Sequence, residues 1–186
     1  MNAKLMQDLK IISREHMEKD KFYHDFAHAM GVYKNVQKLL EHEQGDEVSL
    51  LTAALFHDIC RDLDNHDIEG AQLTKKILKE TPNFPKDKIE NITNLIKKHE
   101  KGQLTQDEKI FSDADKMEAF TMLGFARGLM MFADWKYTLK KSIETYLDLL
   151  EKWYLGFHFD ITRELTEDDY KKLKVTLENL LSRYNP

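Results

Sequence analysis

Apolar residues recur every three or four positions along most of the chain, and no stretch alternates between apolar and polar with period two. This spacing predicts amphipathic helices, so the expected fold class is all-α, a compact single-domain helical bundle over residues 1–186. The predicted helical segments are 3–18, 22–43, 50–62, 66–78, 89–99, 105–128, 135–154 and 166–183.

The segment 50–62, with the sequence LLTAALFHDICRD, differs from the others because its apolar residues are nearly continuous. A helix without a polar face belongs in the middle of a fold. His57 and Asp58 stand at the end of this apolar run. A carboxylate beside an imidazole is costly to bury unless its charge is compensated, and a metal ion does this well.

Four local signals predict where helices begin or end. Gly45 is expected to end the second helix, and Asp46 is expected to cap the central one. Capping-box patterns at Thr105–Glu108 and Thr166–Asp169 predict the starts of the sixth and the last helices.

The composition is that of a globular protein, with 41% apolar and 33% charged residues. The formal net charge of -5 and the lack of a basic run argue against a polymeric nucleic-acid ligand. The single cysteine, Cys60, cannot form an internal disulfide, which favours a reducing compartment. With neither a signal-peptide pattern nor an apolar run near the roughly 20 residues of a membrane span, we expect a cytoplasmic protein without membrane contact.

Several polar residues interrupt the apolar faces of separate predicted helices. The strongest candidates are His28, His57, Asp58 and Asp115, with His24, His66 and His99 nearby. Imidazole and carboxylate ligands together suit Mn, Fe, Co, Ni or Zn better than Ca, and such sites keep positions open for water and substrate. The alternative for His24 and His28, which recur on one helical stripe, is that both are ordinary core or surface histidines.

This ordered set resembles the HD-domain metal-dependent phosphohydrolase superfamily over residues 20–130. That family has one His, then a His-Asp pair on a central helix, then a later Asp, all on an all-α fold. The resemblance implies that His28, His57, Asp58 and Asp115 bind a divalent ion, which could be Mn, Fe, Co, Ni, Zn or Mg. The segment Ala114-Asp115-Lys116 matches the family better than Asp113 does. Asp113 is therefore expected to support the metal ligands from behind or to act as a capping group. The helices in 135–184 are expected to pack on this domain.

The segment YHDFAHAMGV is similar to the YHNxxHAxxV segment of cyclic-nucleotide phosphodiesterases in the same superfamily. The resemblance implies that His28 binds metal and that His24 donates a proton to the leaving oxygen, although Asp25 replaces the usual Asn. The substrate of those enzymes is not carried over, because their substrate clamp is not visible here.

The central motif also departs from the family in one place. Guanosine-tetraphosphate hydrolases of the superfamily carry HDxxED. Here Asp62 matches the last acid, but Arg61 reverses the charge before it, which argues against that substrate. His66 and His99 resemble histidines that hold a second metal in some members. Their alternatives are a solvent-exposed residue at a helix start and a residue favoured by the dipole at a helix end.

Together these features predict a metal-dependent phosphohydrolase acting on a small phosphorylated metabolite, with a nucleotide favoured, by attack of metal-activated hydroxide on phosphorus. The predicted catalytic residues are Asp58, His24 as the acid and Asp62, which would orient water. Arg61, Lys116 and Arg127 are predicted phosphate contacts or, alternatively, ordinary surface charges. One competing hypothesis is a non-catalytic sensor or interaction module that binds metal and nucleotide. A weaker one is a di-iron oxygenase. The exact substrate, the type of phosphate bond and the oligomeric state stay open.

Overall fold

The protein is all-α, as predicted, in a computed structural model that describes residues 3–17, 23–98 and 104–184. Within these ranges no strand is present. The helices are Ala3–Met17 (α1), Phe26–Leu40 (α2), Glu47–Phe56 (α3), His66–Glu80 (α4), Ile89–Lys98 (α5), Gln106–Met117 (α6), Met122–Asp134 (α7), Leu139–Leu155 (α8) and Asp160–Ser182 (α9). Short 3-10 helices span Lys86–Lys88 and Glu118–Phe120.

The chain divides into two compact units, Met1–Ala114 and Asp115–Pro186. The boundary falls inside the continuous helix α6. One domain over residues 1–186 therefore stays a prediction, and the two units are described separately. Among the described residues, no helix combines the length and the apolar character needed to cross a membrane.

Helix α3 is the centre of the first unit, as its apolar sequence predicts. It packs against α1, α2, α4 and α5, and every residue from Ser49 to Phe56 is buried. Burying each large side chain on such a helix contributes about 1.5–3 kcal/mol, so this short helix supplies a large share of the unit's apolar burial. Its end is therefore held in a fixed place at the core.

The start of α3 confirms the predicted cap at Asp46. Its carboxylate accepts hydrogen bonds from the Ser49 backbone N–H at 3.4 Å and the Ser49 hydroxyl at 2.8 Å. Lys88 pairs with the same carboxylate at 2.9 Å. Although burial alone would raise the pKa of Asp46, the hydrogen bonds from Lys88 and Ser49 lower it below its ordinary value.

The predicted end of α2 is wrong, because the helix stops at Leu40 and not at Gly45. Residues 41–46 form a turn and an irregular loop between the two helices, and this loop ends at Asp46, whose backbone is extended. Gly45 has a packing role there. An added Cβ would lie 2.8 Å from Leu50 Cδ1 and 2.9 Å from Ile110 Cδ1, so both side-chain ends would have to shift to make room for it.

The capping box at the start of α6 is confirmed. The Thr105 N–H donates to Glu108 Oε2 at 2.7 Å, and the Glu108 N–H donates to Thr105 Oγ1 at 3.3 Å. The predicted continuous helix 105–128 is wrong, however. The chain forms a 3-10 turn after Met117, and Thr121 caps a new helix by accepting from the Gly124 N–H at 2.9 Å.

The second unit is built by α7 packing on α8 and α8 on α9. The predicted capping box at Thr166–Asp169 is wrong, because α9 already begins at Asp160. The Thr166 hydroxyl instead donates to the Thr162 carbonyl at 2.7 Å, four residues earlier in the same helix. A threonine can bond in this way inside a helix, so the pattern did not mark a helix start.

Candidate metal centre

His57 and Asp58 lie at the C-terminal end of the central helix α3. His57 is the C-cap residue, and its backbone N–H donates to the Ala53 carbonyl at 2.9 Å. Both side chains are almost fully buried, with 1% and 2% of their side-chain surface exposed. The fold therefore carries an imidazole and a carboxylate into its core at one fixed point.

The neighbouring backbone selects the tautomer of His57. Its Nδ1 lies 3.1 Å from the Ala54 carbonyl oxygen. Because a carbonyl only accepts, Nδ1 must carry the proton, and in the neutral ring the Nε2 atom then has the lone pair. This is the arrangement that orients a histidine for binding a metal through Nε2.

His28 reaches the same point from the first turn of α2. Asp25 caps this helix by accepting from the His28 backbone N–H at 3.0 Å. The His28 Nε2 lies 3.2 Å from the His57 Nε2. Two imidazole nitrogens at this distance can share a proton or bind a common cation. The replacement of Asn by Asp at position 25 thus keeps a capping side chain.

His24 does not lie on α2, contrary to the prediction that both histidines belong to the same helical stripe. It precedes the cap residue Asp25, because the helix begins only at Phe26. The ring still lies beside His28, with the two centroids 5.1 Å apart. The His24 side chain retains 18% of its exposure, so it stands at the edge of the centre.

One oxygen of Asp58 is the point where these rings converge. Asp58 Oδ2 lies 3.4 Å from Nε2 of His57, 3.6 Å from Nε2 of His28 and 3.8 Å from Nε2 of His24. Burial alone would raise the pKa of Asp58, but the neighbouring histidines, His57 first among them, lower it well below its ordinary value. Asp58 is therefore an anionic carboxylate surrounded by imidazoles.

Asp113 and Asp115 both lie near the end of α6 but in different surroundings. Asp113 is fully buried, whereas Asp115 is half-buried. Asp115 forms a group with His28 and His57 in which one ligand atom from each residue lies within 4.8 Å of the others. This grouping supports Asp115 over Asp113, although the ligand assignment stays a prediction.

A second group of the same kind contains His24, His28 and Asp58. The two groups share His28, so the described residues bring all four predicted ligands and His24 into one cluster. Imidazole nitrogens and carboxylate oxygens at these separations fit a divalent transition-metal ion or Mg²⁺. The donor set does not identify the metal.

The other predicted site residues have different surroundings. Arg61 lies beside Asp58 and His66, while Asp62 is exposed in the turn that joins α3 to α4. Lys116 is half-buried in the last turn of α6. His99 lies outside the described residues.

Arg127 is buried in the second unit. It pairs with Glu118 across 3.4 Å, and this contact gives the cation a local partner. The role of Arg127 as a phosphate contact stays a prediction.

The sequence patterns did not reveal two residues that position the cluster. Asn35 lies two helical turns after His28 on α2, and its Nδ2 donates to the Ala114 carbonyl of α6 at 3.1 Å. The Phe111 ring packs edge-on to His57, with their centroids 5.7 Å apart. An amide on the apolar face of α2 was the visible signal for Asn35, since buried amides need partners.

Comparison with known proteins gives matches to a family model and to solved structures. The model of the HD domain matches residues 25–119, just over half of the chain. A comparison with curated proteins found no match.

The similar solved structures include an HD-superfamily hydrolase from Bacillus thuringiensis, 19% identical, with a TM-score of 0.76 over 98% of this chain and 97% of that one. A Lactobacillus plantarum protein is 16% identical, with a TM-score of 0.80 over 100% and 99% of the two chains. Bacillus subtilis YpgQ in complex with ADP is 20% identical, with a TM-score of 0.73 over 97% and 95%. At these identities the likeness shows a shared fold.

The matched range, 25–119, contains His28, the His57-Asp58 pair and Asp115 in the order that the sequence comparison predicted. The chain belongs to the HD-domain family.

Proposed function

We propose that this protein is a divalent-metal-dependent phosphohydrolase whose substrate is a small phosphorylated metabolite, with a nucleotide favoured. The observation that carries the proposal is the convergence of three imidazoles on one buried carboxylate, Asp58. A buried anion in such a setting needs compensating positive charge, which a bound metal ion would add. The solved complex of YpgQ with ADP supports a nucleotide as the ligand.

In this proposal His28, His57, Asp58 and Asp115 hold the ion. When bound, a divalent ion supplies Lewis-acid polarisation of a phosphoryl oxygen and lowers the pKa of a water molecule. His57 contributes a defined tautomer because the Ala54 carbonyl holds the proton on Nδ1. The ligands therefore lie on helix ends that the fold already fixes.

The chain's other residues would act on the substrate. His24, at the exposed edge of the cluster, would donate a proton to the leaving oxygen as its bond to phosphorus breaks. Asp62 would orient the attacking water. Arg61 and Lys116 would offset phosphate charge, and a guanidinium can contact two phosphate oxygens at once.

Asp58→Ala tests the proposal directly. We expect this variant to lose bound metal, since the buried carboxylate at the centre of the cluster is gone, and to lose hydrolysis with it. The measurements are metal content by elemental analysis and phosphate release from nucleoside mono-, di- and triphosphates in the presence of Mn²⁺.

Asp64→Ala is the matched control, because Asp64 is an exposed acid in the turn after α3. It should behave as wild type in both assays. Full metal content in Asp58→Ala would show that the centre is misassigned. Tight nucleotide binding by the wild type without turnover under any metal would favour the sensor hypothesis instead.

A further inference from the structure

The Arg61 guanidinium lies between Asp58 and His66. Its Nη1 atom is 2.8 Å from His66 Nε2 and 3.6 Å from Asp58 Oδ1. Arg61 belongs to the turn after α3, and His66 is the first residue of α4. One cation therefore joins the acid of the metal cluster to the first of the two histidines predicted to hold a second metal.

The chemistry of arginine fixes the direction of the hydrogen bond to His66. A guanidinium has five N–H donors, no acceptor, and keeps its proton in proteins. Arg61 must therefore donate, and His66 Nε2 must accept through its lone pair. That lone pair is the one through which His66 Nε2 would bind a metal, so the bond and metal ligation through this atom exclude each other.

The two oxygens of Asp58 face different groups. Oδ2 lies within 3.4–3.8 Å of the three histidine Nε2 atoms, whereas Oδ1 lies beside Arg61. A carboxylate that bridges two metal ions uses one oxygen for each. Here the side of Asp58 away from the histidine cluster faces a fixed guanidinium.

We infer that Arg61 takes the place of a second metal ion, so that the centre binds one ion and Arg61 supplies the second positive charge. This inference rests on the proposed function in taking the histidine–aspartate cluster as a metal centre. It assigns His66 to hold Arg61 in position and not to bind metal. A divalent ion placed at His66 would also be repelled by the adjacent guanidinium.

The test is the number of Mn²⁺ ions bound per full-length chain, measured by equilibrium dialysis with elemental analysis up to millimolar metal. The wild type should bind one ion. Arg61→Gln removes the cation and releases His66 Nε2 and Asp58 Oδ1, so it should bind a second, weaker ion. Adding His66→Asn to Arg61→Gln should restore a count of one.

Arg163→Gln is the matched control. Arg163 also pairs with an aspartate three residues before it, Asp160, but in the second unit of the chain. This variant should bind one ion, as the wild type does. If Arg61→Gln does not fold, as judged by circular dichroism, the single variant His66→Asn decides. It should still bind one ion, with a dissociation constant within about twofold of wild type.

Each failure has its own meaning. Two ions in the wild type, one ion in folded Arg61→Gln, or loss of the ion in His66→Asn would overturn the inference and leave the phosphohydrolase proposal standing. No bound ion in the wild type would instead contradict the metal centre on which the proposed function depends.

Discussion

Replacing His24 with alanine should remove catalysis while leaving the bound metal in place. His24 lies outside helix α2, and its Nε2 is 3.8 Å from Asp58 Oδ2. This separation is longer than a normal hydrogen bond, and the ring remains partly exposed. We therefore expect the loss of this long contact to cost little stability and to leave the other candidate ligands in place.

The expected kinetic effect is much larger than the effect on stability. A positioned general acid contributes roughly 10²- to 10⁴-fold in rate, or about 3–5 kcal/mol of barrier. The size should depend on the leaving group. When the P–O bond of a nucleoside monophosphate breaks, the nucleoside leaves as a basic alkoxide that needs a proton, whereas nitrophenolate leaves well without one. His24→Ala should lose most of its rate on the nucleotide and little on nitrophenyl phosphate.

The assay compares kcat/KM on both substrates and metal content for wild type, His24→Ala and a control, His16→Ala. His16 is a partly buried histidine of α1 whose Nδ1 lies 2.8 Å from the Ile12 carbonyl oxygen, and it is not part of the cluster. Equal losses on the two substrates with the metal retained would refute the general-acid role. Loss of the metal would make His24 a ligand, which its grouping with His28 and Asp58 permits.

Two further predictions concern α6 and the second unit. Asp115→Asn should lower the metal content while Asp113→Asn retains it, because of these two acids only Asp115 groups with the histidines. Elemental analysis that gave the reverse result would transfer the ligand role to Asp113. Gly128→Ala should cost about 1–3 kcal/mol in urea unfolding, because the new Cβ would lie 2.2 Å from Tyr146 Cε2. Gly70→Ala is its control, since the nearest atom there is 3.5 Å away, and an equal cost for both would refute the packing argument.

The central helix could be predicted because its sequence allows one solution. Its apolar residues leave no face for solvent, and Asp46 marks its start, so both the burial and the N-terminus of α3 follow from the pattern. The predicted C-terminal end was wrong, because the helix stops at Phe56 and not at Asp62, so His57 is its C-cap and Asp58 lies just after it. The partners of that pair come from elsewhere in the chain, where polar residues on apolar helix faces and the ordered family pattern pointed to them.

The errors arise where a local pattern has two physical outcomes. Thr121 and Thr166 can each cap a helix or bond to a carbonyl inside one, and tertiary packing decides which occurs. Thr121 caps α7 and breaks the predicted long helix, while Thr166 lies within α9. His24 shows the same limit. The spacing that joins it to His28 extends to residues before the N-cap Asp25, where the helix begins.

The contacts that orient the candidate ligands come from the backbone and from neighbouring helices. The Ala54 carbonyl selects the tautomer of His57, and the Asp25 cap fixes the first turn that carries His28. Asn35 ties α2 to α6 just before Asp115. Because these contacts are part of the fold, helix packing brings the candidate ligands together. The departure of Arg61 from the family pattern then matters most for the charge of the centre, since it places a permanent cation beside the carboxylate of Asp58.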